Sequence, residues 1–153
     1  MKTEEIVQIF ISEFKVQQPD EIFIIFKMKY EEAHDVKALE IWDWSKNQWV
    51  YSDDIKFINN YIWHPGTYLF WRQQEVIRVG RALDNARKRA LVYRNDLPKI
   101  KEVHDYIYED LENTELILFS LKNENEKHWG AALEIFFDLH EEIKPVKRSK
   151  RLG

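Results

Sequence analysis

The chain lacks cysteine and has little glycine, and both shortages exclude classes of protein. Without cysteine among its 153 residues, it has no disulfide framework, no thiol nucleophile and no cysteine-based zinc site. This is compatible with a reducing compartment, and we expect a cytoplasmic protein. Its four glycines form no phosphate-cradling loop, and no nucleophile elbow is present, so the common NTPase and α/β-hydrolase motifs are excluded.

Long apolar runs are also missing. No stretch approaches the ~20 residues that a membrane-spanning helix requires, and we predict no membrane association. Residues 1–16 interrupt their apolar positions with Glu4, Glu5 and Glu13. A secretory signal has a basic start and an unbroken apolar run, so this pattern predicts no targeting segment.

The composition is that of a folded domain. Hydrophobic residues make up 44% of the chain and aromatic residues 14%, enough to build a core. The length fits one domain with an appended segment. The predicted units are an accessory segment at 1–60, a domain at 61–146 and a basic tail at 147–153.

Charge is unevenly distributed, which bears on the expected partner. The formal net charge is −4, which by itself disfavours nucleic acid. Residues 1–60 carry twelve acids against seven lysines, whereas residues 78–101 carry eight basic residues against two acids. Local potential decides whether a polyanion is attracted, so residues 78–101 are the expected contact with a nucleic acid. A solvated helix face and a basic tail would produce the same pattern.

Residue periodicity predicts the elements in outline. Apolar spacing predicts a helix over 3–15, and residues 37–51 indicate a hairpin. A β-branched and aromatic run predicts a strand over 21–30, although a short apolar run of this kind is also compatible with a helix. Residues 53–60 suit a connection or a short helix. The second half predicts strands at 68–72 and 76–79, helices at 83–95 and 98–112, a strand at 114–121 and a helix at 125–142.

One motif in the second half points to chemistry. Nine residues separate Gly66-Thr67-Tyr68 from Arg78-Val79-Gly80, which is followed by Asn85 and Arg89 and, much later, by Glu134 in the run Ala131-Ala132-Leu133-Glu134. This layout resembles the GIY-YIG endonuclease family over about residues 64–146. Three positions depart from the family pattern. Arg78 replaces the second tyrosine, Tyr93 replaces a histidine found in some members, and Val146-Lys147-Arg148 lacks a late asparagine.

The resemblance implies a fold and a reaction. The implied fold is α+β, a small three-stranded mixed or antiparallel sheet flanked by helices, with residues 1–60 as an N-terminal α/β extension. The implied reaction is hydrolysis of DNA phosphodiesters with one Mg²⁺ or Mn²⁺ ion. Cutting both strands would require a homodimer.

Each implied catalytic residue has a physical role. Glu134 would anchor the metal, which keeps several waters and takes further ligands from the substrate. Arg89 would grip a phosphate oxygen through its planar guanidinium. Tyr68 would orient or deprotonate the attacking water, and the cation of Arg78 would favour its phenolate. The further basic residues predicted to contact nucleic acid are Arg81, Arg87, Lys88 and Arg94.

Other interpretations of the same residues stay open. The fold could be an inactive module that holds nucleic acid, or a protein-interaction domain. The tryptophans Trp42, Trp44 and Trp49 could stack on bases, although packing within a hairpin is the more common use of such a cluster. The five histidines show no spacing typical of metal ligands.

Overall fold

The computed structural model describes residues 1–91 and 98–147, and for residues 88, 89, 91 and 98–101 it describes the backbone alone. The helices are α1 Thr3–Glu13, the single turn α2 Pro19–Ile22, α3 Ile55–Tyr61, α4 Ala86–Leu91, α5 Pro98–Tyr108 and α6 Lys127–Leu139. The strands are β1 Phe23–Lys29, β2 Leu39–Asp43, β3 Gln48–Ser52, β4 Gly66–Arg72, β5 Glu75–Ala82 and β6 Glu115–Leu121.

Within the described ranges the six strands form one antiparallel sheet in the order β3-β2-β1-β6-β4-β5. The last strand in sequence, β6, lies near the middle of the sheet, and its residues from Leu116 to Leu121 are all buried. It pairs with β1 from Phe23 to Lys29 and with β4 from Gly66 to Trp71. A strand buried on both faces needs a hydrogen-bonding partner at each edge, and β6 has both.

The predicted fold class was therefore wrong. The sheet has six strands instead of three, and residues 23–52 supply three of them. The N-terminal half is not an extension beside the sheet, because β1 bonds to β6 along its whole length. The family resemblance begins at about residue 64, so it carried no information about β1, the strand that pairs with the other edge of β6.

The sheet is covered on both faces. Helices α1 and α6 cover one face, where Phe10 and Phe137 pack against Phe119; we call it the α6 face. The other face packs against α3, α4 and α5 and is called the α4 face. Each fully buried phenylalanine contributes about 1.5–3 kcal/mol relative to exposure, so two apolar layers stabilise this three-layer arrangement.

The tryptophans of the first hairpin belong to the core. Trp42 is buried, and Trp49 packs edge-on against it. The Trp49 indole N–H donates to Thr3 Oγ1 at 3.1 Å, which ties the hairpin to α1. The packing interpretation is confirmed for these two residues, and Trp44 lies against Phe10 on the same face.

The turn between β4 and β5 is formed by residues that rarely adopt its geometry. Gln73 and Gln74 have φ values of 48° and 67°, the left-handed values that a two-residue hairpin turn usually assigns to Asn-Gly. The Met1 amino group donates to Gln74 O at 2.7 Å, and the Trp71 indole donates to Met1 O at 2.9 Å. These two hydrogen bonds with Met1 thus stabilise a turn whose geometry Gln73 and Gln74 do not favour.

The outer edge of β5 is partly covered. Val146 N donates to Val76 O at 3.0 Å, and Lys147 N donates to Ile77 O at 2.7 Å. Of the predicted basic tail, Lys147 is thus bound along the sheet edge, whereas residues 148–153 lie outside the described residues.

Candidate functional site

Tyr68 packs inside the protein on the α4 face. It is 2% exposed and belongs to the same apolar cluster as Phe70. In β4 it stands opposite Gly80 of β5. A Cβ built on Gly80 would lie 2.3 Å from the Tyr68 Oη atom, so the ring lies directly over this glycine.

Arg78 shares that face. It stands opposite Phe70 beside an irregularity in the β4–β5 register, and opposite residues of an antiparallel pair point to the same side. Its Nη1 donates to Lys147 O at 3.1 Å. The guanidinium is therefore engaged by the backbone that covers the edge of β5.

Glu134 lies on the opposite face. It belongs to α6 and is 9% exposed. The neighbour of Tyr68 in β4, Thr67, points away from the α4 face and donates from Oγ1 to Gly130 O of α6 at 2.8 Å. Thr67 stands opposite Arg81, whose Nε is 4.0 Å from Glu134 Oε1.

The sheet thus divides the predicted catalytic residues. Tyr68 and Arg78 lie on the α4 face, and Glu134 lies on the α6 face with Arg81. The side chain of the fourth predicted catalytic residue, Arg89, lies outside the described residues, as do the Lys88 side chain and all of Arg94. Arg87 is half-buried and donates from Nη1 to Ala33 O at 3.4 Å, and burial lowers the pKa of its guanidinium.

A cavity of about 880 Å³ opens next to Arg81. It lies where β5 and β6 end and β4 begins, so three connecting segments meet there. Its lining residues are Trp63, Pro65, Arg81, Ala82, Leu83, Asp84, Asn85, Glu124, Asn125 and Lys127. Among the lining residues that the structure describes, two cations and two carboxylates balance in charge, and an indole, two amides and three apolar residues make up the rest.

Hydrogen bonds fix the position of residues 63–65, which form one side of this cavity. His64 is 7% exposed, and its Nδ1–H donates to Leu121 O at 2.6 Å, since a carbonyl oxygen only accepts. Ala86 N donates to His64 O, and Leu121 N donates to Pro65 O, both at 3.0 Å. The segment before β4 is therefore fastened to the end of β6 and to the start of α4.

Sequence reasoning predicted Arg81 as a nucleic-acid contact, which stays a prediction, and did not single out Trp63, Asn125 and Lys127, which line the same cavity. Trp63 precedes the strongest turn signal of the chain, His64-Pro65-Gly66. A large aromatic residue beside a turn was the one feature of the sequence that could have indicated a binding surface there. Asn125 and Lys127 are ordinary residues of a polar loop. Their proximity to Arg81 follows from sheet order, which their own spacing does not indicate.

A different group resembles a metal-binding set. In the described ranges, the one group of three carboxylate or imidazole ligands with atoms within 4.8 Å of one another is Glu13, His140 and Glu142, and Glu134 is not part of it. Glu142 N donates to His140 Nδ1, so Nε2 carries the proton and donates to Glu13 Oε1 at 3.1 Å. Hydrogen bonding already accounts for these contacts, and the predicted metal at Glu134 stays a prediction.

No protein-family model, no curated protein and no solved structure gives a significant match to the chain. The GIY-YIG resemblance consequently rests on the residues quoted above and stays a prediction. Among the helices that the structure describes, none is long and apolar enough to cross a membrane.

Proposed function

We propose that the protein binds DNA, with one nucleotide entering the cavity beside Arg81. The observation that carries this proposal is the convergence of an indole, two cations and two amides on one cavity of nucleotide-compatible size. The Arg81 guanidinium suits two oxygens of one phosphate, and the Lys127 ammonium supplies a point charge. A base that stacks on Trp63 would add about 1–3 kcal/mol.

Binding is favoured over hydrolysis because of where the predicted catalytic residues lie. Hydrolysis requires the phenol of Tyr68 and the carboxylate of Glu134 to act on one phosphate. Tyr68 is buried under the α4 face, and Glu134 lies across the sheet. Binding requires neither residue to leave its place.

Metal-dependent hydrolysis is the second candidate function, and one contact favours it. Glu134 adjoins the cavity through Arg81, at 4.0 Å, so a phosphate held by Arg81 would lie near a carboxylate. A carboxylate of this kind could serve as the single protein ligand of Mg²⁺ or Mn²⁺, which would supply charge neutralisation and an activated water when bound.

Affinity measurements with a labelled single-stranded oligonucleotide test the binding proposal. We expect Arg81→Ala and Lys127→Ala each to weaken binding by about 1 kcal/mol, since each removes one phosphate contact. Lys37→Ala is the matched control, because this lysine is 85% exposed and does not line the cavity. Absence of binding at low salt, or equal losses in all three variants, would overturn the proposal.

Incubation with supercoiled plasmid and Mg²⁺ or Mn²⁺ tests the second candidate. Nicking that requires the metal and disappears in Glu134→Gln would establish hydrolysis. Nicking that survives in Glu134→Gln would exclude this carboxylate as the metal ligand. Metal-independent binding with an intact plasmid would leave the protein as a binding module.

A further inference from the structure

We infer that the cavity selects an unpaired nucleotide, so that single-stranded DNA is bound in preference to duplex, with the base stacked on Trp63. This inference rests on the proposed function and adds the kind of DNA that the cavity recognises. Three observations carry it: the contact that supports the Trp63 indole, the volume of the pocket and the charge balance of the described lining residues.

Trp63 is exposed yet held in place. Its side chain is 44% exposed, whereas Trp42 of the same chain is buried in the core. The imidazole of His64 packs edge-on against the indole, with ring centroids 4.6 Å apart. His64 is itself buried and hydrogen-bonded to Leu121 O. An aromatic ring on such a support offers a stacking surface with little conformational entropy left to lose.

The shape of the site favours a base that is free of its duplex. The site is an open pocket of about 880 Å³, a volume within the range of sites that take one small molecule. A paired base is covered by its neighbours in the stack, and moving it out costs a few kcal/mol. An unpaired base enters without that cost. Its Watson–Crick edge is then open to an amide such as that of Asn125.

Charge also separates the two forms of DNA. Arg81 and Lys127 are offset by Asp84 and Glu124 in the same lining, and both acids are exposed. Duplex DNA carries one negative charge per ~1.7 Å of its axis and is held mainly by a surplus of cations. The described part of this lining provides no such surplus. Base stacking must therefore supply much of the affinity, which restricts tight binding to strands with accessible base faces.

Affinities of the full chain for three DNA probes test the inference. The first probe is a single strand of pyrimidines with one purine at its centre, and the second is the same strand with an abasic site in place of that purine. The third probe is the duplex formed by the first strand and its complement. We expect the wild-type protein to bind the single strand at least about tenfold more tightly than the duplex, and the abasic strand more weakly than the intact one. Equal affinity for single strand and duplex would overturn the inference and leave DNA binding itself intact.

Substitutions at Trp63 provide the second arm. Trp63→Ala should weaken single-strand binding by about tenfold and leave duplex binding unchanged, whereas Trp63→Phe keeps a stacking ring and most of the affinity. Tyr51→Ala is the matched control, since this aromatic residue is 71% exposed on the far edge strand β3. Equal loss for both forms of DNA would contradict the inference. Should Trp63→Ala fail to fold, Trp63→Phe and the abasic probe still decide.

Discussion

Tyr68 and Gly80 face each other across β4 and β5, and the tyrosine ring occupies the place where a side chain on residue 80 would stand. A Cβ at Gly80 would lie 2.3 Å from both Cζ and Oη of Tyr68. These are two of the residues on which the GIY-YIG resemblance rests. Packing alone thus accounts for their joint presence, because a ring in this position requires a glycine opposite.

Gly80→Ala should therefore destabilise the protein through overpacking. We expect a loss of about 1–3 kcal/mol in the free energy of unfolding, measured by urea denaturation. Tyr68→Leu with Gly80→Ala should lose less than the sum of the two single changes, because the shorter side chain makes room for the methyl group. Additive losses in this double-mutant cycle would show that the two residues do not oppose each other.

Gly66→Ala should be far more damaging than Gly130→Ala, although the two glycines face each other between β4 and α6. A Cβ on Gly66 would lie 2.0 Å from the Phe119 carbonyl oxygen, and backbone in the middle of a sheet cannot withdraw. We expect a loss of at least about 3 kcal/mol. At Gly130 the added Cβ would lie 3.3 Å from Gly66 Cα, a tight contact with backbone, and the helix propensity of alanine, about 1 kcal/mol, offsets much of that cost. Thermal midpoints of the two variants make the comparison.

Replacing Gln73-Gln74 by Asn-Gly should stabilise the protein by about 1 kcal/mol, since both positions have left-handed φ values. Thermal denaturation checks this. Lys46→Gly, in the turn between β2 and β3, serves as the control. Of the turn residues Lys46 and Asn47, only Asn47 has a left-handed φ value, so glycine at position 46 relieves no strain. An unchanged midpoint for the Asn-Gly variant would mean that the contacts of Met1 already offset the strain.

Glu115→Gln should raise the free energy of unfolding at neutral pH. Burial raises the pKa of the Glu115 carboxyl, against the opposing effect of Lys27 at 4.0 Å. A raised folded-state pKa favours folding below the unfolded value of about 4.3, and this contribution is lost as the pH rises through the folded pKa. The advantage of glutamine should thus vanish below about pH 4. Glu40→Gln, which removes the 2.9 Å partner of Lys27, should bring no such gain.

The salt dependence of binding counts the phosphate contacts. Arg81 and Lys127 are the two cations among the described residues that line the cavity. If they supply the phosphate contacts, the logarithm of the affinity for single-stranded DNA should fall with the logarithm of salt concentration with a slope of about −1.4. Each alanine variant should reduce the steepness to about −0.7. A much steeper slope that neither variant alters would place the phosphate contacts elsewhere on the protein.

Local patterns were sufficient for most elements but not for their assembly. The 3.6-residue spacing of Ile6, Ile9 and Phe10 predicted a helix, and α1 ends two residues before the predicted boundary. The apolar run after Thr114 predicted a buried strand, and β6 is that strand. Its two partners were not predictable, because the residues that pair with it lie as far as 98 positions away in the case of Phe23 and Leu121.

The candidate site was harder to predict for the same reason. Arg81 carried a signal because it follows a glycine in a basic stretch. Trp63 and Lys127 belong to connections whose composition resembles that of any surface loop, and they meet only because the ends of β5 and β6 lie beside the start of β4. The separation of Tyr68 from Glu134 likewise depends on which face each helix covers, and one-dimensional spacing does not specify that.

The place of β6 in the sheet also has a consequence for biosynthesis. During synthesis, the hairpins β2–β3 and β4–β5 leave the ribosome before β6, which spans residues 115–121. Until β6 emerges, β1 and β4 each have one edge without a partner strand. Open edges invite pairing between chains, and distant pairing slows folding. A nascent chain that stalls before residue 115 would expose two unpaired strand edges at once. We therefore expect this protein to depend on chaperones during translation.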